Sequence, residues 1–197
     1  AFTADGDPNS GIIVGDNSVM VIDAQATPTL SRQVIQKVRS VTDKPISHLV
    51  LSHYHAVRVL GAAEYKASNI IMSSKARSMV VERGQEDWDS EFDRFPRLFK
   101  GHEEISGLTW PTTTFDKKMS LFLGKRRVDL YFLGRAHTAG DIVIHVPDSN
   151  VLFTGDIVEY KSACYCGDAH LQEWPKTLGK IAKFQAGSLV PGRGDAL

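Results

Sequence analysis

His48-Leu49-Val50-Leu51-Ser52-His53-Tyr54-His55 is a short apolar run that stops abruptly on two histidines one residue apart. Its length and content suit a buried strand. Side chains alternate along an extended segment, so His53 and His55 project to one side and Tyr54 to the other. One cation can accept both rings at about 2.0–2.1 Å. A lone His-x-His is a weak signal, because a single histidine is more often an ordinary core or surface residue. Three further apolar runs end in the same way, on Ala136-His137-Thr138-Ala139-Gly140-Asp141, Thr154-Gly155-Asp156 and Pro191-Gly192-Arg193-Gly194. Loops carried at strand ends by a rigid scaffold are the usual place for ligands and catalysts. His137 would complete a three-histidine set that leaves a position open for water.

Working outward, Gly11-Ile12-Ile13-Val14 and Val19-Met20-Val21-Ile22 read as a hairpin around Gly15-Asp16-Asn17-Ser18. Thr27-Pro28 gives a helix N-cap with proline at the first position. Leu30, Val34, Ile35, Val38 and Val41 then recur at helical spacing, predicting an amphipathic helix over roughly 28–41. After the His53 turn, the pattern predicts a helix over about 58–67, a strand from Asn69 to Met72 and a helix over about 74–88. Glu82 to Trp110 is rich in charge and aromatic rings without a clean period. Helical pieces forming a lid or insertion are expected there, inside a single 1–197 domain. From Pro111 the runs around Phe115, Met119–Leu123, Val128–Leu133, Ile142–Val146 and Val151–Phe153 read as strands. Leu171, Trp174, Leu178, Ile181 and Phe184 form a helix stripe ahead of a last strand, Ser188 to Val190. Strand-helix-strand in each half implies two sheets packed face to face with helices outside, an α+β sandwich of four layers, αββα.

At 197 residues with 42% hydrophobic content, the chain is long enough to bury one core. Lys plus Arg and Asp plus Glu balance at 23 each, so no net field draws it to nucleic acid or membrane. Lys117, Lys118, Lys125, Arg126 and Arg127 cluster, which fits a solvated strand-turn edge better than a phosphate site. No apolar run approaches the ~20 residues of a membrane span. The opening Ala1-Phe2-Thr3-Ala4-Asp5 lacks a basic and apolar leader pattern, and the cytoplasm is the default compartment; the missing start methionine is compatible with a leader already removed. Cys164 and Cys166, separated only by Tyr165, are expected as reduced thiols near a loop, with a soft ligand pair as the other reading.

Taken together, these strand-end motifs resemble the metallo-β-lactamase superfamily over nearly the whole chain. The family's His-x-His-x-Asp-His motif appears as His53-Tyr54-His55-Ala56-Val57-Arg58. Its His-Thr-x-Gly segment matches His137-Thr138-Ala139-Gly140, the aspartate of its Gly-Asp turn matches Asp156, and its Gly-His-Gly matches Gly192-Arg193-Gly194. The resemblance implies the αββα fold and a metal on His53, His55, His137 and Asp156. It says little about substrate, since the superfamily covers β-lactams, thioesters, lactones, phosphodiesters and sulfur oxidation. Family chains carry a helix after the last motif, whereas this sequence stops at Leu197.

Three positions depart from the pattern. Val57 stands for the motif's aspartate, and Arg58 and Arg193 for two histidines. The resemblance implies that those missing groups supply most of a second metal site and help to orient the attacking water. Valine has no lone pair and guanidinium stays protonated, so one divalent cation is expected, zinc first and iron second. Arg58 and Arg193 either grip an anionic group of a small-molecule substrate or simply neutralise Asp156. Asp156 either reaches the metal or is held by arginine. In the first case the site has three histidines and one aspartate, or a two-His-one-carboxylate face that would suit iron and oxygen chemistry. In the second, a three-histidine zinc site would suit hydrolysis.

Asp141 is expected to brace the rim, His48 and His145 to be core residues, and His102 and His170 to face solvent; for Asp23, capping a loop near the rim is the lesser reading beside an ordinary strand-end residue. Trp88, Phe92, Phe95, Phe99, Trp110 and Tyr160 are expected mainly in packing, or else around a substrate mouth. The leading expectation is a mononuclear metal-dependent hydrolase acting on an ester, thioester, lactone or amide, in which Asp156, Arg58 and Arg193 assist. An iron dioxygenase of sulfur compounds and a binding protein on a decayed enzyme fold are the alternatives. A homo-oligomer is compatible with all three.

Overall fold

The computed structural model describes residues 1–3 and 8–197, so Ala4 and Asp5 of the opening stretch lie outside the described residues. A six-stranded sheet is built from β1 (Phe2–Thr3), β2 (Asn9–Val14), β3 (Val19–Ile22), β4 (Ile46–Val50), β5 (Asn69–Ser73) and β6 (Thr113–Phe115), in that order. Strands β1 to β3 pair antiparallel and β3 to β6 parallel. Parallel neighbours need crossovers. These are α1 (Pro28–Arg39) between β3 and β4, α2 (Ala56–Val59) between β4 and β5, and α3 (Ser74–Arg94) between β5 and β6. The second sheet, in order β11-β10-β9-β8-β7, contains β7 (Lys118–Leu123), β8 (Arg126–Tyr131), β9 (Val143–Val146), β10 (Val151–Phe153) and β11 (Ser188–Val190). Helix α4 (Trp174–Ile181) carries the chain from β10 to β11, which pair in parallel.

Three buried clusters follow from this layering. Val19, Val21, Leu49 and Leu51 face α1 through Leu30, Val34 and Val38. The alternate residues Met20, Ile22 and Val50 face the second sheet through Leu130, Ile144 and Phe153. Ala136, Val143 and Leu152 take the far side of that sheet, against Trp174 and Ile181 of α4. The alternation of β3 between two cores is what a central sandwich strand requires. The αββα architecture is therefore as expected.

Details differ in ways that have physical causes. Helix α1 stops at Arg39 with Ser40 as its C-cap, so Val41 lies beyond the packed stripe and is 62% exposed. The segment predicted as one helix over about 58–67 is the four-residue α2 followed by a 3-10 turn, Ala62–Tyr65. Between them, Gly61 packs against Ser31 and the Thr27 carbonyl, leaving no room for a side chain. Helix α3 runs unbroken to Arg94, through the stretch read as lid pieces, and Leu98 and Phe99 return to the core after it. Its buried positions are Ala76, Val80, Gly84, Asp87 and Glu91, a helical stripe that turns from apolar to acidic. In α4, Trp174 and Ile181 are buried as expected, but Leu178 is exposed and Leu171 precedes the helix.

The basic cluster forms the β7–β8 hairpin edge, where Arg126 pairs with Asp148 and Arg127 with Asp129. Cys164 and Cys166 are free and exposed in the loop before α4. No helix among the described residues is long and apolar enough to cross a membrane.

Candidate metal centre

Each side chain at the rim is set by the strand behind it. Strand β4 ends at Val50 and delivers Ser52, His53 and His55 just before α2. His137 comes from the β8–β9 connection, Asp156 from the 3-10 turn Gly155–Ile157 after β10, and Arg193 from the turn after β11. The three imidazoles, all nearly inaccessible, meet edge to face, with ring centroids 4.8–5.0 Å apart and planes at 84–87°. Their nearest nitrogens lie within 4.8 Å of one another. His137 Nε2 is 3.1 Å from His55 Nδ1. Asp156 Oδ2 lies 3.6 Å from both His53 Nε2 and His137 Nε2.

Hydrogen bonds on the outer sides of the rings decide which nitrogens face inward. Ser52 Oγ donates to Asp23 Oδ2, so it is left to accept from His53 Nδ1 at 2.9 Å. The His53 Nε2 lone pair then points into the cluster, and this buried atom has no hydrogen-bond partner. Asp23 also accepts from the Ser52 backbone N–H at 2.7 Å, so it braces the rim. His55 Nε2 faces Asp168 Oδ2 at 2.9 Å, which leaves Nδ1 inward. Asp168 in turn accepts from Tyr54 Oη and pairs with Arg83 at 2.8 Å. Asp141 accepts from the Thr138 N–H and hydroxyl, both at 2.7 Å, and so holds the loop that carries His137.

A buried lone pair with nothing to bond to is costly. Three imidazole nitrogens turned towards one another, one of them in that condition, fit a divalent cation. His55, Asp87 and Asp168 also lie close enough to hold an ion. There, however, the facing atoms of His55 and Asp168 already bond each other, which makes them outer support for the ring.

The charges follow from burial and pairing. Burial lowers His137 to about 4 and outweighs the opposing pull of Asp156. Burial likewise holds His53 well below the usual histidine value. His55 is raised: burial works against its charge, but the Asp168 hydrogen bond and then Asp87 prevail. Burial alone would raise Asp156, yet Arg58 and then Arg193 hold it below the ordinary carboxylate range.

The two arginines occupy different positions. Arg58 is wholly inaccessible, binding Asp156 Oδ1, the Gly192 carbonyl at 2.8 Å and the Asn9 carbonyl at 3.1 Å. In this arrangement it cannot meet a substrate, and its geometry is that of a counter-ion filling the space beside Asp156. Arg193 Nη1 bonds Asp156 Oδ2 at 3.0 Å and Glu159 Oε1 at 2.6 Å, but its side chain keeps 15% exposure and borders the cavity. That cavity, of about 140 Å³, is lined by His55, His137 and Asp156 together with Val57 and Glu91. Tyr165 and Phe95 also line it. Among the aromatic candidates only Phe95 borders it, and Trp110 is half exposed rather than packed. Asp168, Asp87, Glu91 and Tyr165 were not singled out from sequence. The i, i+4 spacing of Asp87 and Glu91 was the available signal, but such pairs usually face water.

The sequence profile of the metallo-beta-lactamase superfamily matches residues 3–169. The chain belongs to that superfamily. A metallo-beta-lactamase type 2 of Bacteroides fragilis is 28% identical over 197 positions, covering 95% of this chain and 70% of the relative. The fold agrees with solved metallo-beta-lactamases. One from Pontibacter korlensis gives a TM-score of 0.73 at 20% identity, covering 94% of this chain and 79% of that one. IND-7 gives 0.75 at 22% identity, covering 95% and 79%. Superfamily membership and the histidine group together support a metal-dependent hydrolase. This member of the metallo-beta-lactamase superfamily departs from the motif at Val57, Arg58 and Arg193, the residues that surround Asp156 and its cavity.

Proposed function

We propose that the protein is a mononuclear metal-dependent hydrolase of esters, thioesters, lactones or amides, with zinc as its first-choice ion. The observation that carries this reading is the buried, unpartnered Nε2 of His53 facing the rings of His55 and His137. These three residues would hold the cation. When bound, such an ion lowers the pKa of water to about 7 and polarises a carbonyl.

The chain's own residues do the rest. Asp23 and Ser52 fix the tautomer of His53, and Asp168 that of His55. Asp156, kept ionised by two guanidinia, presents an acceptor to a donor at the open face of the cluster. Two guanidinia around that carboxylate, and Val57 opposite, favour one ion over two, because none of these groups can ligate. Arg193, which lines the cavity, would meet an anionic part of the substrate. Val57, Phe95, Leu98 and Tyr165 contribute apolar surface to the cavity lining.

The test is elemental analysis of protein purified without added metal, followed by turnover assays on one ester, thioester, lactone and amide each. About one equivalent of zinc, lost together with hydrolysis in His53→Ala and His137→Ala, is the expected result. Iron with oxygen consumption on a sulfur substrate would move the assignment to a dioxygenase. Failure to take up either zinc or iron would leave a binding protein on an enzyme fold.

A further inference from the structure

The cavity beside the histidines is bordered by two carboxylates, and they are in opposite states. Asp156 accepts from Arg58 on one oxygen and Arg193 on the other. A carboxylate so held has little affinity for a proton. Glu91 has no arginine bonded to it among the described residues. The one hydrogen bond recorded to its carboxylate there runs from the Val57 N–H to Oε2 at 2.9 Å. It reaches the cavity because α3 passes beneath α2, and the buried stripe of α3 ends on Asp87 and Glu91. Asp87 caps the Ala56 N–H at 2.8 Å, so the two acids clamp the first turn of α2, directly after His55. Phe95 and Leu98 line the same cavity as Glu91.

We propose that Glu91 is the group that takes the proton from the attacking water during hydrolysis and returns it to the leaving group. This rests on the hydrolase reading above. The water oxygen forms a bond to the acyl carbon as the carbonyl π pair moves onto the carbonyl oxygen, the electron pair of the broken O–H bond stays on the water oxygen, and the proton passes to the Glu91 carboxylate. The pair on the carbonyl oxygen then returns to re-form the C=O bond, the acyl bond to oxygen, sulfur or nitrogen breaks with its electron pair on that atom, and the proton goes from Glu91 to it. A positioned base of this kind is worth ~10²–10⁴ in rate when its proton affinity lies near the working pH.

The surroundings of Glu91 provide that affinity. Burial first, and the neighbouring Asp87 second, push its carboxyl up to about 7, against the pull of His55, the Val57 N–H and Arg193. Among the described residues no other acid beside the cavity combines access with an unneutralised carboxylate: the Glu159 side chain has no accessible surface and is bonded to Arg193.

Three zinc-loaded proteins decide the matter: wild type, Glu91→Gln and Glu91→Asp. The amide variant keeps the Val57 cap through its carbonyl oxygen but cannot accept a proton. With 4-nitrophenyl acetate, Glu91→Gln should lose ~100-fold or more in kcat with KM little changed, and the acid limb of the pH profile should disappear. Glu91→Asp should recover part of the rate. A readout independent of turnover is calorimetry of acetohydroxamic acid binding in buffers of different ionisation enthalpy. The bound acid gives up a proton, which Glu91 should retain, so Glu91→Gln should release up to one more proton to the buffer than wild type. Equal proton release and equal kcat in wild type and Glu91→Gln, both carrying one zinc, would overturn the role of Glu91 alone. If wild type carries no metal, the hydrolase reading fails first and this assignment fails with it. If 4-nitrophenyl acetate is not turned over, the proton count decides.

Discussion

Arg58 and Asp156 form an ion pair from which water is excluded on both sides, Arg58 having no accessible surface and Asp156 2%. Breaking such a pair leaves one uncompensated charge in the interior, which costs about 3–5 kcal/mol. Arg58→Ala should therefore lower the melting temperature by roughly 6–20 °C for a chain of this size. Thermal denaturation followed by circular dichroism measures it. A change of less than about 2 °C would mean that Arg193 alone suffices for Asp156.

Asp168 fixes His55 from behind, and its removal should be felt at the metal before it is felt in the fold. Asp168→Asn keeps the size and one acceptor oxygen but loses the charge. Zinc affinity should fall about 10–100-fold. Competition against a chromogenic chelator gives the constant, and an unchanged constant would remove Asp168 from the support of His55.

Gly192 separates β11 from Arg193, and its N–H donates to the Val158 carbonyl at 3.0 Å. A Cβ placed on it would collide with Asp156 Oδ1 and approach the Gly155 carbonyl carbon to 2.7 Å. Gly192→Ala should therefore destabilise by about 1–3 kcal/mol and shift Asp156 relative to the histidines. Urea melts give the first quantity and zinc stoichiometry at limiting metal reports the second. A variant indistinguishable from wild type in both would show that the turn relaxes freely.

Asp129 offers a pH test away from the metal centre. It is buried on β8, accepts from Ser120, Arg127 and Tyr131, and is lowered: burial opposes its charge, but the Ser120 and Arg127 hydrogen bonds outweigh that cost. A folded pKa below the unfolded value means that the unfolded chain binds more protons as pH falls. The contribution of Asp129 is thus fully present above about pH 4 and lost as pH drops through the folded value. The stability gap between wild type and Asp129→Ala should be constant from pH 5 to 8 and shrink below pH 4. A gap independent of pH would mean that the packing of this side chain, not its charge, sets the difference.

The parts legible in the sequence were those governed by a single period. Strands β3 and β4, the N-cap at Thr27 and the three histidines all sit where alternation and turn chemistry put them, because each obeys a local rule. The end of α3 was not legible for the opposite reason. Its inward stripe keeps helical spacing, but Asp87 and Glu91 occupy the last inward positions, where hydropathy expects apolar residues. They are tolerated because they cap the N–H groups of Ala56 and Val57, partners about thirty positions away whose proximity no local pattern reveals. The same holds for Asp168, whose link to His55 spans 113 positions. Tertiary packing likewise encloses Arg58 and leaves the Arg193 side chain partly exposed, a difference that no local pattern carries.

The histidines arrive from different halves of the sandwich: His53 and His55 from the six-stranded sheet, His137 from the five-stranded one. An ion shared among them would clasp the two sheets, so its loss would be felt mechanically as well as chemically. Amide exchange at Leu49–Leu51 and at Val143–Val146 should then slow in concert on adding zinc, whereas an ion gripped by one sheet would protect that side alone.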